Sequence, residues 1–403
     1  MLKNKSLNLS ILTVFIPLIL QFIYIKYVSY EVDKNVYGDF IILGTFIYGL
    51  SQIFLSIPGQ SFSRFYNITE NKTYFINEFR TYLIAINILS IFIVYSLYLI
   101  YENRFSMIVY LLIYIYFAIS NNYSLNQQIF LLSLERKKYL ALKIFEAIAK
   151  YIFPLLMYYK FKTLESFIGG ITLGYILSFI IIMYYLKEIP FKIEFNLQNQ
   201  KKYFIFAYPI LISAVFSWSM SFSDRYFIDY YLKTRDVAIY SILAQFSGFA
   251  NFSAIIYGIY VNPIILREYE KDKVFALKLL KKYLKYFLVV LITMFIIALL
   301  LPKSLLAIFI EKEVIFNEYY YNTFIILVLG IILTVFQTAL SMYFVLLKRL
   351  DIHAKIFMFV AIVNLGLNFL IPKYGIIAAS ISTLIAYLLL NIFILLWIKN
   401  AKI

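Results

Sequence analysis

Residues 82–100 read YLIAINILSIFIVYSLYLI, a run of nineteen with no Asp, Glu, Lys or Arg. A helix that crosses a bilayer core of about 30 Å needs about 18 or more such residues. Working outward from this stretch, runs of similar length recur on both sides through all 403 residues. They account for a composition that is 63% hydrophobic and 14% charged, with a mean hydropathy of +0.83. A water-soluble domain of this length would expose far more polar surface. Barrel strands would alternate apolar and polar residues over about ten positions, so continuous runs mean helices.

Twelve spans are expected, at residues 9–30, 37–57, 79–100, 105–134, 140–159, 164–186, 203–231, 237–262, 283–301, 323–347, 352–371 and 375–398. The first follows Lys3 and Lys5, has full span length and lacks a small-residue cleavage site, so it reads as a span and not as a secretory signal. The net charge of +16 resides mainly in the short segments between apolar runs. These cations favour one side, the bias of cytoplasmic loops that face anionic lipid, which places both termini in the cytoplasm. The same placement removes nucleic acid from the partners expected. With no cysteine, disulfides and thiolate metal sites are excluded. In residues 271–285, Val274, Phe275, Leu277, Leu279, Leu280 and Leu284 interleave with six lysines, which reads as a basic amphipathic helix lying on the inner leaflet.

The two halves of the chain match each other weakly but in order. Lys143-Ile144-Phe145 corresponds to Lys355-Ile356-Phe357, and Tyr175 to Tyr387, at an offset of 212. Arg64-Phe65-Tyr66 corresponds to Arg267-Glu268-Tyr269, and Val36-Tyr37 to Ile239-Tyr240, at 203. Lys26-Tyr27 corresponds to Arg225-Tyr226 at 199. The reading is an N-terminal six-helix bundle at 1–200 and a C-terminal one at 201–403. Six spans return the chain to the same side, so the repeats are parallel, and transporters of this kind hold their substrate path between the halves. The fold class expected is an all-α integral membrane protein of about 12 transmembrane helices, in two parallel six-helix repeats around a central cavity.

Three stretches carry a family resemblance. They are Tyr37-Gly38-Asp39-Phe40, then Asp224-Arg225-Tyr226 with Ile239-Tyr240-Ser241, and above all residues 364–376, NLGLNFLIPKYGI, running on into Ala378-Ala379-Ser380. In these the chain resembles the polysaccharide flippases (O-antigen and capsule repeat-unit translocases) of the multidrug/oligosaccharidyl-lipid/polysaccharide exporter superfamily. One departure is Lys26, where the family commonly carries Arg, so a phosphate held there would lack a bidentate fork. The resemblance implies a multi-pass protein of the bacterial inner membrane that moves polyprenyl-diphosphate-linked oligosaccharide from the inner to the outer leaflet. The partners it implies are that lipid-linked substrate, membrane lipids and other membrane proteins of lipopolysaccharide or capsule assembly.

Moving a diphosphate through a low-dielectric barrier is costly unless cations fixed in a wet cavity pair with its oxygens. The cations singled out on this ground are Lys26, Arg225, Arg64, Arg267 and Lys150. Lys26 and Arg225 lie toward the outer ends of the first and seventh spans, Arg64 and Arg267 past the inner ends of the second and eighth. Each has a plain alternative reading, as a snorkelling or positive-inside residue. Asp39, Asp224 and Glu146 are the candidates for coupling or ion pairing. Asp39 is expected to pair with Lys26, and Asp224 to find a partner other than Arg225, since adjacent helical residues point about 100° apart. Glu146 and Lys150, four apart, share a face. Asn121, Asn122, Asn126 and Gln128, in the most polar run inside any span, suit sugar hydroxyls, and equally suit helix-to-helix contacts.

His353, the single histidine, is read as incidental, and with no cysteine no catalytic or metal constellation is expected. No cofactor is expected, and no phosphate-binding glycine loop points to nucleotide-driven export. Two rival functions remain. A multidrug or cation antiporter of the same superfamily would have an acidic or apolar cavity. A membrane glycan polymerase or ligase would carry a long outer loop with catalytic Arg or His, whereas the longest here, 302–322, contains no His.

Overall fold

The computed structural model describes residues 2–101 and 104–401. It is helical throughout, with no strand among the described residues. The first half is built from α1 (Leu2–Glu31), α2 (Lys34–Phe65), α3 (Lys72–Ile100), α4 (Met107–Leu132), α5 (Arg136–Tyr151), α6 (Phe153–Phe161) and α7 (Leu164–Tyr185). Next come α8 (Leu197–Tyr231) and α9 (Thr234–Ser247), the latter joined through a single 3₁₀ turn at Gly248–Ala250 to α10 (Asn251–Lys271). The chain continues with α11 (Lys273–Leu300), α12 (Lys303–Leu306), α13 (Lys312–Ile315), α14 (Glu318–Leu340) and α15 (Met342–Leu346). It ends with α16 (Leu350–Asn368), α17 (Ile371–Tyr374) and α18 (Ile376–Asn400).

Among the described residues, eleven helices are long and apolar enough to cross a membrane. The expectation of about twelve holds, and the remaining one is instructive. The expected span 140–159 is present but broken at Ile152 into α5 and α6, of 16 and 9 residues. Pro154 causes the break: it has no N–H to donate and its ring obstructs the preceding turn. The break is packed as well as permitted. A Cβ at Gly170 of α7 would lie 2.5 Å from the Phe153 carbonyl oxygen, and one at Gly174 would lie 2.6 Å from Ala149 Cα. This small-xxx-small face of α7 therefore sits against bare backbone of α5 and α6.

One expectation is corrected. Residues 271–285 do not form a helix of their own. From Lys273 they form the opening turns of α11, which runs unbroken to Leu300. Asp272 caps it by accepting from Phe275 N at 3.0 Å, and no Gly or Pro interrupts it. Ala276, Leu280, Leu284, Phe287 and Leu291 are buried along one stripe, and α10 packs against this helix.

The chain divides into two compact units, Met1–Leu211 and Ile212–Ile403, with the division inside α8, just past Pro209. Each packs its helices in the same scheme. In the first unit α4 packs on α7, α5 and α6 on α7, α3 on α4, and α2 on α3 and α4. In the second, α14 packs on α18, α16 and α17 on α18, α11 on α14, and α10 on α11 and α14. The pairing of spans repeats although few residues do.

Residues 364–376, the most family-specific stretch, serve the architecture of the second unit. Asn364 Nδ2 donates to Ser382 Oγ at 3.0 Å, and Asn368 Nδ2 donates to Ser223 Oγ at 3.2 Å. Gly375 has φ 72° and ψ −155°, a conformation open only to glycine. Tyr319 secures this turn from α14, its hydroxyl donating to the Tyr374 carbonyl at 3.0 Å and accepting from Ile377 N at 3.2 Å.

Candidate functional site

Within the first unit, α4 and α5 bring a polar group into contact. Glu146 Oε2 accepts from Lys143 Nζ at 2.8 Å and from Gln127 Nε2 at 3.1 Å. Tyr123 donates to the Leu142 carbonyl at 2.5 Å, and its ring meets Tyr175 edge-on at 5.9 Å. Tyr116 lies 5.3 Å from Tyr175 between ring centres. The partner of Glu146 is therefore the lysine three residues before it. The face shared by Glu146 and Lys150 does not yield an ion pair, because Lys143 reaches the carboxylate first and Gln127 occupies the same oxygen.

Lys150 is thereby left unpaired. It is exposed, and among the described residues no carboxylate lies within ion-pair distance of it. Its ammonium stands over the Tyr151 ring at 5.4 Å, and Tyr116, Glu146 and Tyr48 are the other groups acting on it. An unpaired ammonium among three phenols offers an anion a cation together with aromatic surface for sugar rings. Lys26 on α1 is exposed as well, and Tyr24, two residues before it, packs on Tyr151 at 5.4 Å between ring centres.

Asp39 does not pair with Lys26. Its Oδ1 accepts from Arg104 Nε at 3.0 Å and Nη2 at 2.7 Å. Arg104 stands in the loop between α3 and α4, and its guanidinium lies 5.2 Å from the Phe105 ring centre. The planar fork of the guanidinium gives it an advantage over a lysine ammonium.

The polar run of α4 divides by helical period. Asn121 and Asn126 are 2% exposed, so they face the interior of the unit, not a glycan path. Asn126 Oδ1 accepts from Arg80 Nε at 3.1 Å, whereas Asn121 Nδ2 has no partner among the described residues. Asn122 and Gln128 are half-buried. Asn122 Nδ2 donates to the Ala118 carbonyl at 2.8 Å, and Gln128 Oε1 accepts from Ser63 Oγ at 3.3 Å.

In the second unit, Asp224 and Arg225 do pair, contrary to expectation. Arg225 Nη1 lies 2.8 Å from Asp224 Oδ1 and donates to the Ser221 carbonyl at 2.8 Å. Tyr240 donates to the other carboxylate oxygen of Asp224. The guanidinium is flanked by the Phe222 and Tyr240 rings at 5.0 and 5.5 Å. The 100° between Cβ directions misled because a long helical side chain leans back over the preceding turn. There the four-bond arginine stem finds both the carboxylate and the i−4 carbonyl. Arg225 is 8% exposed and Asp224 2%. Arg64 and Arg267 are exposed near the ends of α2 and α10.

Sequence reasoning missed two charged residues on α3. Glu78 is 0% exposed and Arg80 4%. Arg80 is held by neutral acceptors: Asn126, Asn77 Oδ1 at 3.4 Å and the Ile189 carbonyl at 3.2 Å. The expected span began at Phe79, which left Glu78 just outside it and Arg80 at its second position. The signal was present in Phe75 and Phe79, apolar residues that extend the buried face of α3 past the charges.

No protein-family model and no curated protein matches the chain. Solved structures do, over nearly its full length. The chain is similar to the lipid II flippase MurJ in an inward closed conformation, with TM-score 0.72 and 18% identity over 98% of this chain and 87% of that one. It is equally similar in shape to an inward-facing multidrug resistance MATE family transporter of the MOP superfamily, with TM-score 0.72 and 13% identity over 97% and 98%. An outward-facing conformation of such a transporter gives TM-score 0.66 and 13% identity over 98% and 95%. The fold is thus that of these membrane proteins.

Proposed function

We propose that the chain is a flippase that carries polyprenyl-diphosphate-linked oligosaccharide from the inner to the outer leaflet of the bacterial inner membrane by alternating access. The observation that carries this reading is Lys150, an exposed ammonium with no carboxylate partner, set among Tyr48, Tyr116 and Tyr151 on a membrane-spanning unit. A bare cation inside a span is costly to keep unless an anion meets it there. A diphosphate supplies that anion, and the phenols present hydroxyls and ring faces to sugars. The flippase neighbour acts on lipid II, likewise a lipid, and the resemblance in residues 364–376 points the same way.

In this scheme Lys26 joins Lys150 in holding the diphosphate. Arg64 and Arg267 collect the anionic head at the inner mouths, and Asn122 and Gln128 present amides to the glycan. Arg225 reaches phosphate by exchanging its bond to Asp224, so that substrate release restores the ion pair. Asp39 and Glu146 hold Arg104 and Lys143 in place.

Drug antiport is the second reading, because a multidrug transporter matches the fold with the same TM-score. Reconstitution separates the two. Vesicles containing the protein should move a fluorescent short-chain polyprenyl-diphosphate-linked N-acetylhexosamine to the opposite leaflet faster than protein-free vesicles, read by its accessibility to an impermeant quencher. Movement of ethidium with no movement of the diphosphate lipid would replace flipping with antiport.

A further inference from the structure

Outside the groups assigned to transport, the first unit holds a cleft of about 180 Å³, walled by Phe65, Tyr74, Phe75 and Tyr203 and bearing Glu78 and Lys202. It lies where the end of α2 and the starts of α3 and α8 meet, on the face of the unit that α1 enters, which is expected to be cytoplasmic. Several waters would fit, since one needs about 10–15 Å³.

Glu78 lacks what a buried carboxylate ordinarily has. Its Oε2 accepts from Asn199 Nδ2 at 3.3 Å and the Tyr203 hydroxyl at 3.2 Å, while Oε1 meets no donor within hydrogen-bond geometry among the described residues. The Gln200 side-chain amide and the Asn196 backbone N–H beside it are further neutral donors, and Gln200 Nε2 likewise has no other partner among the described residues. No cation pairs with it among the described residues. Arg80, two residues on, is turned to Asn126, Asn77 and Ile189. Lys202 stands over the Phe65 ring at 4.6 Å. A buried carboxylate held by neutral donors alone is costly to ionise, and a cation brought beside it removes that cost.

The walls indicate which cation fits. A hard metal ion requires six or more oxygens, whereas three of the aromatic rings here pack on one another: Tyr203 lies 5.5 Å from Phe65 and 6.1 Å from Phe75. Aromatic faces beside a carboxylate suit an organic ammonium. The exposed Lys202 at the mouth would repel an ammonium alone, but it complements a phosphate attached to one.

We infer that this cleft binds a zwitterionic aminophosphate headgroup, with the ammonium against Glu78 and the aromatic walls and the phosphate on Lys202. The headgroup belongs either to an aminophospholipid of the inner leaflet or to a free phosphoethanolamine. The site is independent of the transport reading, since none of its residues has been placed on the substrate path.

The test uses the full-length protein in nanodiscs containing equal phosphatidylethanolamine and phosphatidylglycerol, with retained lipid counted by native mass spectrometry. The wild type should retain phosphatidylethanolamine over phosphatidylglycerol by about tenfold. Glu78→Gln should lose that preference. Tyr74→Ala, at a half-buried wall position, should weaken it and supplies the result if Glu78→Gln fails to fold. Free O-phosphoethanolamine added to protein in phosphatidylglycerol discs separates the sources: a rise in Tm equal to that produced by the phospholipid identifies the free headgroup as a ligand, and no rise identifies the lipid. Equal retention of the two lipids by the wild type, or an undiminished preference in both variants, would overturn the assignment.

Discussion

Lys150→Ala should abolish most transport while leaving the protein folded and abundant. The argument starts from what the side chain does not hold. Glu146, the only acid near it on the same helix face, is bonded to Lys143 at 2.8 Å and to Gln127 at 3.1 Å. Truncating Lys150 therefore breaks no ion pair; its chief loss is the contact with the Tyr151 ring, about 0.5–1 kcal/mol at an exposed site, beside weaker interactions with Tyr116, Glu146 and Tyr48. If instead the ammonium holds a phosphate oxygen during translocation, losing that charged hydrogen bond costs about 1.5–3 kcal/mol, or about 10- to 150-fold in binding or rate. Lys150→Arg should retain much of the rate, since the charge is kept. The assay reads flipping of the diphosphate lipid in vesicles alongside Tm and membrane abundance of each variant. Wild-type flipping by the alanine variant would refute the assignment of Lys150, and a parallel fall in Tm and flipping would make the lysine structural.

Arg225→Ala should behave in the opposite way: it leaves Asp224, 2% exposed, without its cation, a loss of about 3–5 kcal/mol, visible as reduced Tm and abundance. Asp224→Asn combined with Arg225→Met should recover abundance without recovering flipping, and recovery of neither would show that Arg225 contributes more than this pair. Gly174→Val should sharply lower Tm, because even a Cβ would lie 2.6 Å from Ala149 Cα and overpacking of this kind costs about 1–3 kcal/mol or more. Gly366→Ala, with nothing within 4 Å of the added carbon, should leave Tm unchanged or raised, and equal effects of the two substitutions would contradict the helix packing described. Reporters fused after Lys137 or Lys281 should be cytoplasmic and one after Lys373 periplasmic, and a reversal of any of them would break the orientation drawn from the cations.

The number and nature of the spans were readable from composition because hydrophobic transfer is nearly additive along a chain: residues 82–100 call for a bilayer whatever their neighbours. The Pro154 break was equally local, although its consequence, two helices too short to count as spans, emerged only when the backbone was seen. Residues 364–376 were conspicuous in the sequence, but the reason for them was not. Only the fold shows that Gly375 takes a glycine-only turn under Tyr319, and that Asn364 and Asn368 bind other helices. The cations illustrate the division most clearly. Lys26, Lys150 and Arg225 could be located on their spans from the sequence alone. Whether a cation was free depended on which long side chain reached which oxygen, within one helix for Lys143 and Arg225 and across the fold for Arg104. Thus Arg104 took Asp39, Lys143 took Glu146 and Arg225 curled back onto Asp224, which leaves Lys150 exposed with no carboxylate within ion-pair distance among the described residues. The charge of Glu78 and its burial lay on different levels in the same way. The sequence places a carboxylate one residue outside a span, and only the start of α8, folded against α2 and α3, encloses it.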